Sequence, residues 1–394
     1  MVPEGGAVPN RFAWFTLLVQ SALLTGAVAL LRPAISYAAL DLGVAPEWLG
    51  LIAGSFALLP VLVVLPLGRL TDRRGTRGPM LAGALTMVTA TVLLVAVGGS
   101  LPYLLLANVV LGFGQVVVML CLQSGVATLW PSARRSGAYG WFAFATAFGQ
   151  MLGPGVLAAM GGSGNTPNLS PVYLTGAVGS VAMVACAVAW AFFMPRPDPR
   201  ARRDHTPVRW RTAMKTPGLT AAVLTSLTVL AVLDLLSVYL PALGVEYGIS
   251  VGVIGVLLTV RAAASMFSRA FMGALIKVLG ERALLTGSLS IACISIALLP
   301  IEMPVWGLVV LMLLAGVGLG YAHPLTLAWV ANAAAPEVRG TAISVRMLGN
   351  RIGQAALPVA AGVLTGSAGI VVVFWAIAAA LGGLTLLSAR APRE

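Results

Sequence analysis

Charge is what this chain of 394 residues has least of. Asp, Glu, Lys and Arg together make up 9% of it, against 59% hydrophobic residues, where a soluble domain carries about a quarter charged residues. That balance excludes an ordinary soluble domain and implies a polytopic membrane protein. Histidine occurs twice and cysteine three times. Cys121, Cys186 and Cys293 each stand inside an apolar run, without the short spacing of a metal site or a redox pair, and read as small buried hydrophobes. Two histidines are too few for most acid–base or metal schemes. No Gly-x-x-x-x-Gly-Lys loop and no Ser-His-acid set is present, so neither an enzyme nor a cofactor or metal is expected. The N-terminal stretch also lacks a charged region followed by a short apolar core and a small-residue cleavage site. No cleaved signal peptide is expected, and the first apolar run is read as the first membrane span.

What is present is a series of apolar runs broken by Gly, Pro or charge. They predict twelve spans, starting near residues 12, 46, 78, 102, 136, 171, 218, 250, 283, 304, 340 and 369. The formal net charge of +12 would point to nucleic acid in a soluble protein, but its distribution has a plainer cause. Residues 195 to 217 carry Arg196, Arg200, Arg202, Arg203, Arg209, Arg211 and Lys215, whereas the predicted outer loops carry Asp41, Glu47, Glu246 and Glu302 and no Lys or Arg. By the positive-inside rule the basic loops at 68–77, 130–137, 195–217, 273–282 and 335–340 face the cytoplasm, and so do both termini. A multi-pass protein of the cytoplasmic (inner) membrane follows, with the bilayer and no nucleic acid as its surroundings.

The chain repeats itself. A shift of 205 positions carries Gly68, Leu70, Gly75 and Arg77 onto Gly273, Leu275, Gly280 and Arg282, and Pro131 and Arg134 onto Pro336 and Arg339. A shift of 204 carries Gly112 and Gly114 onto Gly316 and Gly318, and Gly149-Gln150 with Pro154 onto Gly353-Gln354 with Pro358. Two pseudo-symmetric six-helix bundles are therefore expected, at 1–194 and 218–394, joined by a Pro- and Arg-rich linker at 195–217. Two such bundles can rock about a site held between them near the bilayer midplane.

The turn from Gly68 to Arg77, with Gly68, Leu70, Asp72, Arg73, Gly75 and Arg77, resembles the signature loop between helices two and three of major facilitator superfamily transporters. Its degenerate copy follows helix eight, with Lys277 where Asp72 would fall. The resemblance implies the superfamily's all-α, twelve-helix fold and assigns the loop gate control. Asp72 would contact the cytoplasmic ends of helices four and eleven, with Arg73 beside it and Arg134 or Arg135 as the basic partner. The stretch from Gly149 to Gly155 is similar to a Gly-rich, Pro-containing motif of the superfamily's proton-driven exporters, but Leu157 and Ala158 replace its trailing Gly pair. The stretch from Asn108 to Gly114 resembles a second exporter motif, with Asn108 in place of the expected Arg. Small residues serve close helix packing in lipid equally well.

Ionisable residues inside a membrane cost about 2.5 to 3.5 kcal/mol each on the insertion scale and are functional candidates by default. Arg32 shares one face of the first span with Ser21 and Thr25, and Arg261 shares one face of the eighth with Ser265 and Ser268. On the eleventh span Arg346, Asn350, Arg351 and Gln354 fall within one broad arc, able to border a cavity but not to converge on one point; Arg346 is also near enough to the cytoplasmic end to snorkel there. Asp234 is the only carboxylate clearly inside the membrane and cannot balance Arg261 and Arg351 fully. A guanidinium suits a carboxylate because its fork makes two parallel hydrogen bonds. The expected substrate is therefore a small organic anion, moved by proton symport or anion exchange, with Arg261, Arg351, Gln115, Gln150, Tyr321, His323 and Gln354 at the site. Asp234 and His323 are the candidates for proton coupling. Arg32 and Asp234, at similar depth in the first and seventh spans, are candidates for an outer gate together with Asp72, Arg73 and Arg134. A proton-coupled exporter of drugs or metabolites is the alternative, and a non-transporting scaffold would need no midplane cations. A monomer is expected.

Overall fold

The structure, a computed structural model, describes residues 11–97, 99–130, 132–162, 164, 167–193, 218–333 and 339–390. The expected linker at 195–217 lies outside the described residues, as do the side chains of Asp72, Arg73, Arg134 and His323. With no water to satisfy its amides, a backbone in lipid must bond to itself, and the chain is helical almost throughout. The first half holds α1 (Arg11–Asp41), α2 (Leu49–Arg74), α3 (Arg77–Val97), α4 (Leu101–Leu129), α5 (Ser132–Met160) and α6 (Leu169–Phe193). The second holds α7 (Leu219–Glu246), α8 (Val251–Leu279), α9 (Glu281–Leu298), α10 (Val305–Ala333), α11 (Arg339–Ala368) and α12 (Ile370–Arg390). Every predicted span start lies within a few residues of a helix start.

Eleven of these helices are long and apolar enough to cross a membrane. The twelfth, α11, falls short because Arg346, Asn350, Arg351 and Gln354 interrupt its apolar run. Such residues in a membrane-spanning segment face a bundle interior or a cavity rather than lipid.

The halves are built alike. α1 packs on α4, α5 and α6, α2 on α4, and α3 on α4 and α6; in the same order α7 packs on α10, α11 and α12, α8 on α10, and α9 on α10 and α12. The repeated glycines explain part of this. Gly75 and Gly280, related by the repeat, both close a helix–helix turn at φ 80°, a conformation that a side chain disfavours. Gly112 lies directly over the Phe56 carbonyl of α2, and its counterpart Gly316 directly over the Arg261 carbonyl of α8.

Across the halves α1 meets α7, α2 meets α11 and α5 meets α8. Many of these contacts gather on the side of the molecule that carries Asp41, Glu47, Glu246 and Glu302, here termed the acidic side. Ser36 Oγ donates to the Val238 carbonyl at 2.7 Å, and Val251 N–H to the Gly164 carbonyl at 3.1 Å. Gly50 and Gly54 of α2 lie against Ala355, Pro358, Val359 and Gly362 of α11, and Gly255 of α8 against Ala158 of α5. Nearer the basic side, Leu348 of α11 packs against a cluster containing Val64, Val116 and Val117. The acidic side is therefore sealed by backbone-to-backbone approaches that only small residues permit. A Cβ on Gly54 would come within 2.7 Å of the Ala355 carbonyl oxygen. Gly54→Leu is expected to hold this seam apart, and spin-label distances between the acidic-side ends of α2 and α11 should lengthen in that variant; unchanged distances would contradict the seam's role.

Candidate functional site

Four of the sequence-predicted residues, from three helices of both halves, form one hydrogen-bonded chain. Arg32 Nη1 of α1 pairs with Asp234 Oδ1 of α7. Gln354 Nε2 of α11 donates to the other carboxylate oxygen, Asp234 Oδ2, at 2.8 Å. Gln354 Oε1 in turn accepts from Arg351 Nη1 at 3.0 Å. Both oxygens of the carboxylate and both ends of the amide are thus used. At 1.5 Å per residue, Arg32 lies about 14 Å and Asp234 about 18 Å below the acidic-side ends of their helices, so the chain crosses the middle of the membrane. The Arg32 and Asp234 side chains are 5% and 13% exposed, which leaves little water to screen them.

Arg32 is held further by partners that no sequence pattern marks. Its guanidinium carbon stands 4.5 Å from the centroid of the Phe56 ring, a cation–π arrangement, and Nη2 reaches towards the Ala53 carbonyl at 3.5 Å. Both contacts come from α2. Phe56 is not among the sequence candidates, because an aromatic residue in an apolar span carries no distinguishing signal. The Ser21 and Thr25 that share Arg32's helical face do other work: Ser21 bonds back to Leu17 at 2.6 Å, and Thr25 Oγ1 donates to the Thr146 carbonyl of α5 at 2.8 Å.

Arg261 stands on α8, about 15 Å below its acidic-side end. It is 9% exposed, and its Nε has no hydrogen-bond partner among the described residues. The charges acting on it are Arg269 and Asp234. Ser265 and Ser268 lie buried on the same face, Ser268 Oγ donating back to the Ser265 carbonyl at 3.0 Å, and Tyr321 of α10 is buried as well. Arg351 is half-buried and feels both Asp234 and Arg32. Three guanidiniums therefore act on one carboxylate: Arg32 in contact, Arg351 through Gln354, and Arg261 through space. Arginine does not give up its proton in proteins, so three positive charges against one negative leave a formal excess of two. The other described acidic residues in helices, Asp41, Glu246 and Glu281, stand at helix ends.

The remaining candidates separate. Gln115 is half-buried with Oε1 lacking a partner among the described residues, and Gln150 is exposed; neither joins the four-residue chain. Arg346 does not snorkel: it is 2% exposed, and Nη2 donates to Thr326 Oγ1 of α10 at 3.0 Å. Asn108 is interhelical, its Nδ2 bonding the Ile52 carbonyl and, at 3.0 Å, Ser55 Oγ of α2. The glycines of the exporter-like stretch on α5 are packing positions, Gly149 and Gly153 lying against the α1 backbone at Ala22 and Gly26. His323, Asp72, Arg73 and Arg134 lie outside the described side chains.

The family model described as Major Facilitator Superfamily matches residues 17–244 and 223–394. Quinolone resistance protein NorA of Staphylococcus aureus is 26% identical over 174 residues, a match spanning 44% of this chain and 44% of that relative. Thus less than half the length of this curated relative is matched. Among solved structures, a D-xylose-proton symporter superimposes with a TM-score of 0.78 at 14% identity, covering 98% of each chain. The nucleoside transporter NupG superimposes with a TM-score of 0.75 at 12% identity, covering 96% of this chain and 98% of that one. At such identities the likeness is one of fold. The family match along nearly the whole chain, with the repeated six-helix halves, makes this multi-pass protein a member of the Major Facilitator Superfamily.

Proposed function

We propose that the protein is a secondary active transporter of a small organic anion, working by alternating access through proton symport or anion exchange. The single observation that carries this reading is the set of Arg32, Arg261 and Arg351 around the lone carboxylate of Asp234, with Arg261 Nε unpartnered among the described residues. A substrate carboxylate offers the missing negative charge and two acceptor oxygens to a guanidinium fork. The two halves, 1–194 and 218–394, are the moving bodies, and 195–217 is the cytoplasmic linker between them. The basic side is the cytoplasmic side of the inner membrane, so the sealed acidic side is the outer one. The Arg32–Asp234 pair is the lock of that outer gate. Gln115, Gln150, Tyr321 and His323 are proposed to line the substrate path, with Asp234 and His323 as proton acceptors.

A second reading, a proton-coupled exporter of drugs or metabolites, draws support from the NorA match. The names of the relatives and neighbours specify no anion, so the first reading rests on this chain's own charges. Reconstituted vesicles loaded or challenged with labelled carboxylates and with cationic dyes, with and without a pH gradient, separate the two. Carboxylate flux alone supports the anion transporter, and dye flux driven by the gradient supports the exporter.

The superfamily loop gives a further expectation. Asp72→Asn is expected to slow turnover severalfold while substrate affinity stays within about twofold, because the loop is remote from the midplane and acts on conformational cycling. Counterflow and binding measured on the same vesicles check it; unchanged turnover would contradict the gate assignment.

A further inference from the structure

Gln354 occupies a place where chemistry leaves its amide only one orientation. Arginine can only donate, so the side of the amide facing Arg351 must be the oxygen, and the NH2 must then face Asp234. The observed bonds, Arg351 Nη1 to Oε1 at 3.0 Å and Nε2 to Asp234 Oδ2 at 2.8 Å, have this sense. It holds only while Asp234 Oδ2 is an acceptor.

We propose that Gln354 is a polarity relay that couples protonation of Asp234 to release of Arg351 for anion binding, making this transporter a proton–anion symporter. The proposal rests on the anion reading above and selects symport over exchange. A proton taken up from water onto Oδ2 turns that oxygen into an O–H donor. The amide oxygen is the only acceptor that Gln354 can offer it, so the amide turns over and presents its NH2 to Arg351. Two donors then face each other, and Arg351 loses its acceptor. Protonation also removes the negative charge that Arg32 pairs with. Two guanidiniums are thus left without a counter-charge in a poorly hydrated site, and one substrate carboxylate can serve both. One proton on Asp234 and one anion on the arginines enter together, and the site's net charge is unchanged. When both leave, the carboxylate recaptures Arg32 and Gln354, the arrangement described here.

The groups facing Asp234 are few. α1 supplies Arg32, α11 supplies Gln354 and Arg351, and α8 supplies the charge of Arg261. The charged residues of α2 and α12 stand at the basic-side ends of those helices, and α10 contributes Tyr321 and His323, the latter with its side chain outside the described residues.

The test titrates lactate and benzoate into the purified full-length protein at about pH 5.5 and about pH 8 by calorimetry, with the affinity ratio between the two pH values as the readout. Wild type is expected to bind a carboxylate about tenfold or more tighter at the lower pH, and Gln354→Leu to show a ratio at least about threefold smaller than wild type, since Leu can neither hold Arg351 nor sense the proton and only the part that runs through Arg32 remains. A merely structural Gln354 would shift both affinities and keep their ratio. Should Gln354→Leu not fold, proton uptake by the wild type in weak buffer decides: one proton per carboxylate bound is expected, and none overturns the relay. Carboxylate binding with a wild-type ratio in Gln354→Leu overturns the relay alone. A wild type that binds no carboxylate at either pH overturns the anion reading, and the relay with it.

Discussion

Asp234→Ala is expected to shift the protein towards the state that is open on the acidic side. The substitution leaves Arg32, 5% exposed, with only the Phe56 ring and a long approach to the Ala53 carbonyl among the described residues. It also strands Gln354 Nε2, whose acceptor was Asp234 Oδ2. Removing one partner of a buried ion pair costs about 3 to 5 kcal/mol, because the other charge stays buried without compensation. That corresponds to roughly a hundredfold to several thousandfold in the equilibrium between two conformations, enough to reverse most of them. Spin-label distances across the acidic-side ends of α1 and α7 should lengthen, and transport should fall because the carrier no longer closes on that side. Arg32→Ala should act in the same direction. The charge-exchanged double variant, Arg32→Asp with Asp234→Arg, is expected to restore closure only in part. An arginine at position 234 would face the NH2 of an amide whose oxygen is already committed to Arg351, and an aspartate at position 32 would face the negative surface of the Phe56 ring. Unchanged distances in both single variants would remove the pair from the gate.

The second large effect concerns the cations themselves. Arg261→Ala and Arg351→Ala are each expected to weaken carboxylate binding by about 30-fold or more, the scale of losing one partner of a desolvated charged contact. The two residues should differ in their lysine variants. Arg261 Nε lies buried without a described partner, and on the proposed reading it meets the ligand directly, so Arg261→Lys would put a single ammonium where a fork is needed. Arg351 also holds Gln354, and one lysine N–H can replace that bond. Arg351→Lys should therefore recover more of the affinity than Arg261→Lys. Calorimetry showing normal affinity in either alanine variant would take that residue out of the site.

How much of this was legible in advance depended on what each feature needs. Twelve spans, their ends, the duplication and the basic and acidic sides could be read from the residues because each is set locally. A segment crosses lipid when about 20 consecutive residues are apolar, wherever its neighbours go. A turn such as that at Gly75 or Gly280 requires a residue able to adopt positive φ, whatever packs around it. The helix-eleven polar run was visible for the same reason, since polar residues in an apolar stretch stand out.

Pairing was not legible, because it is a property of distance between helices. Arg32 and Asp234 are 202 positions apart, and depth alone made them candidates without deciding whether they meet. Arg346 and Arg351 lie five positions apart on one helix and read alike in sequence. Only the packing of α10 and α7 against α11 sends the first to Thr326 and the second, through Gln354, to Asp234. The glycines of α5 resemble part of an exporter motif in sequence, and only the fold lays the α1 backbone against them. The apolar runs and the positional repeat thus determined by themselves that the chain forms twelve helices in two like halves, since lipid acts on each segment separately and the repeat is written in the residues. Which of its buried charges neutralise one another was decided by the tertiary structure, because a Coulomb energy depends on the few ångströms between side chains and not on their separation along the chain.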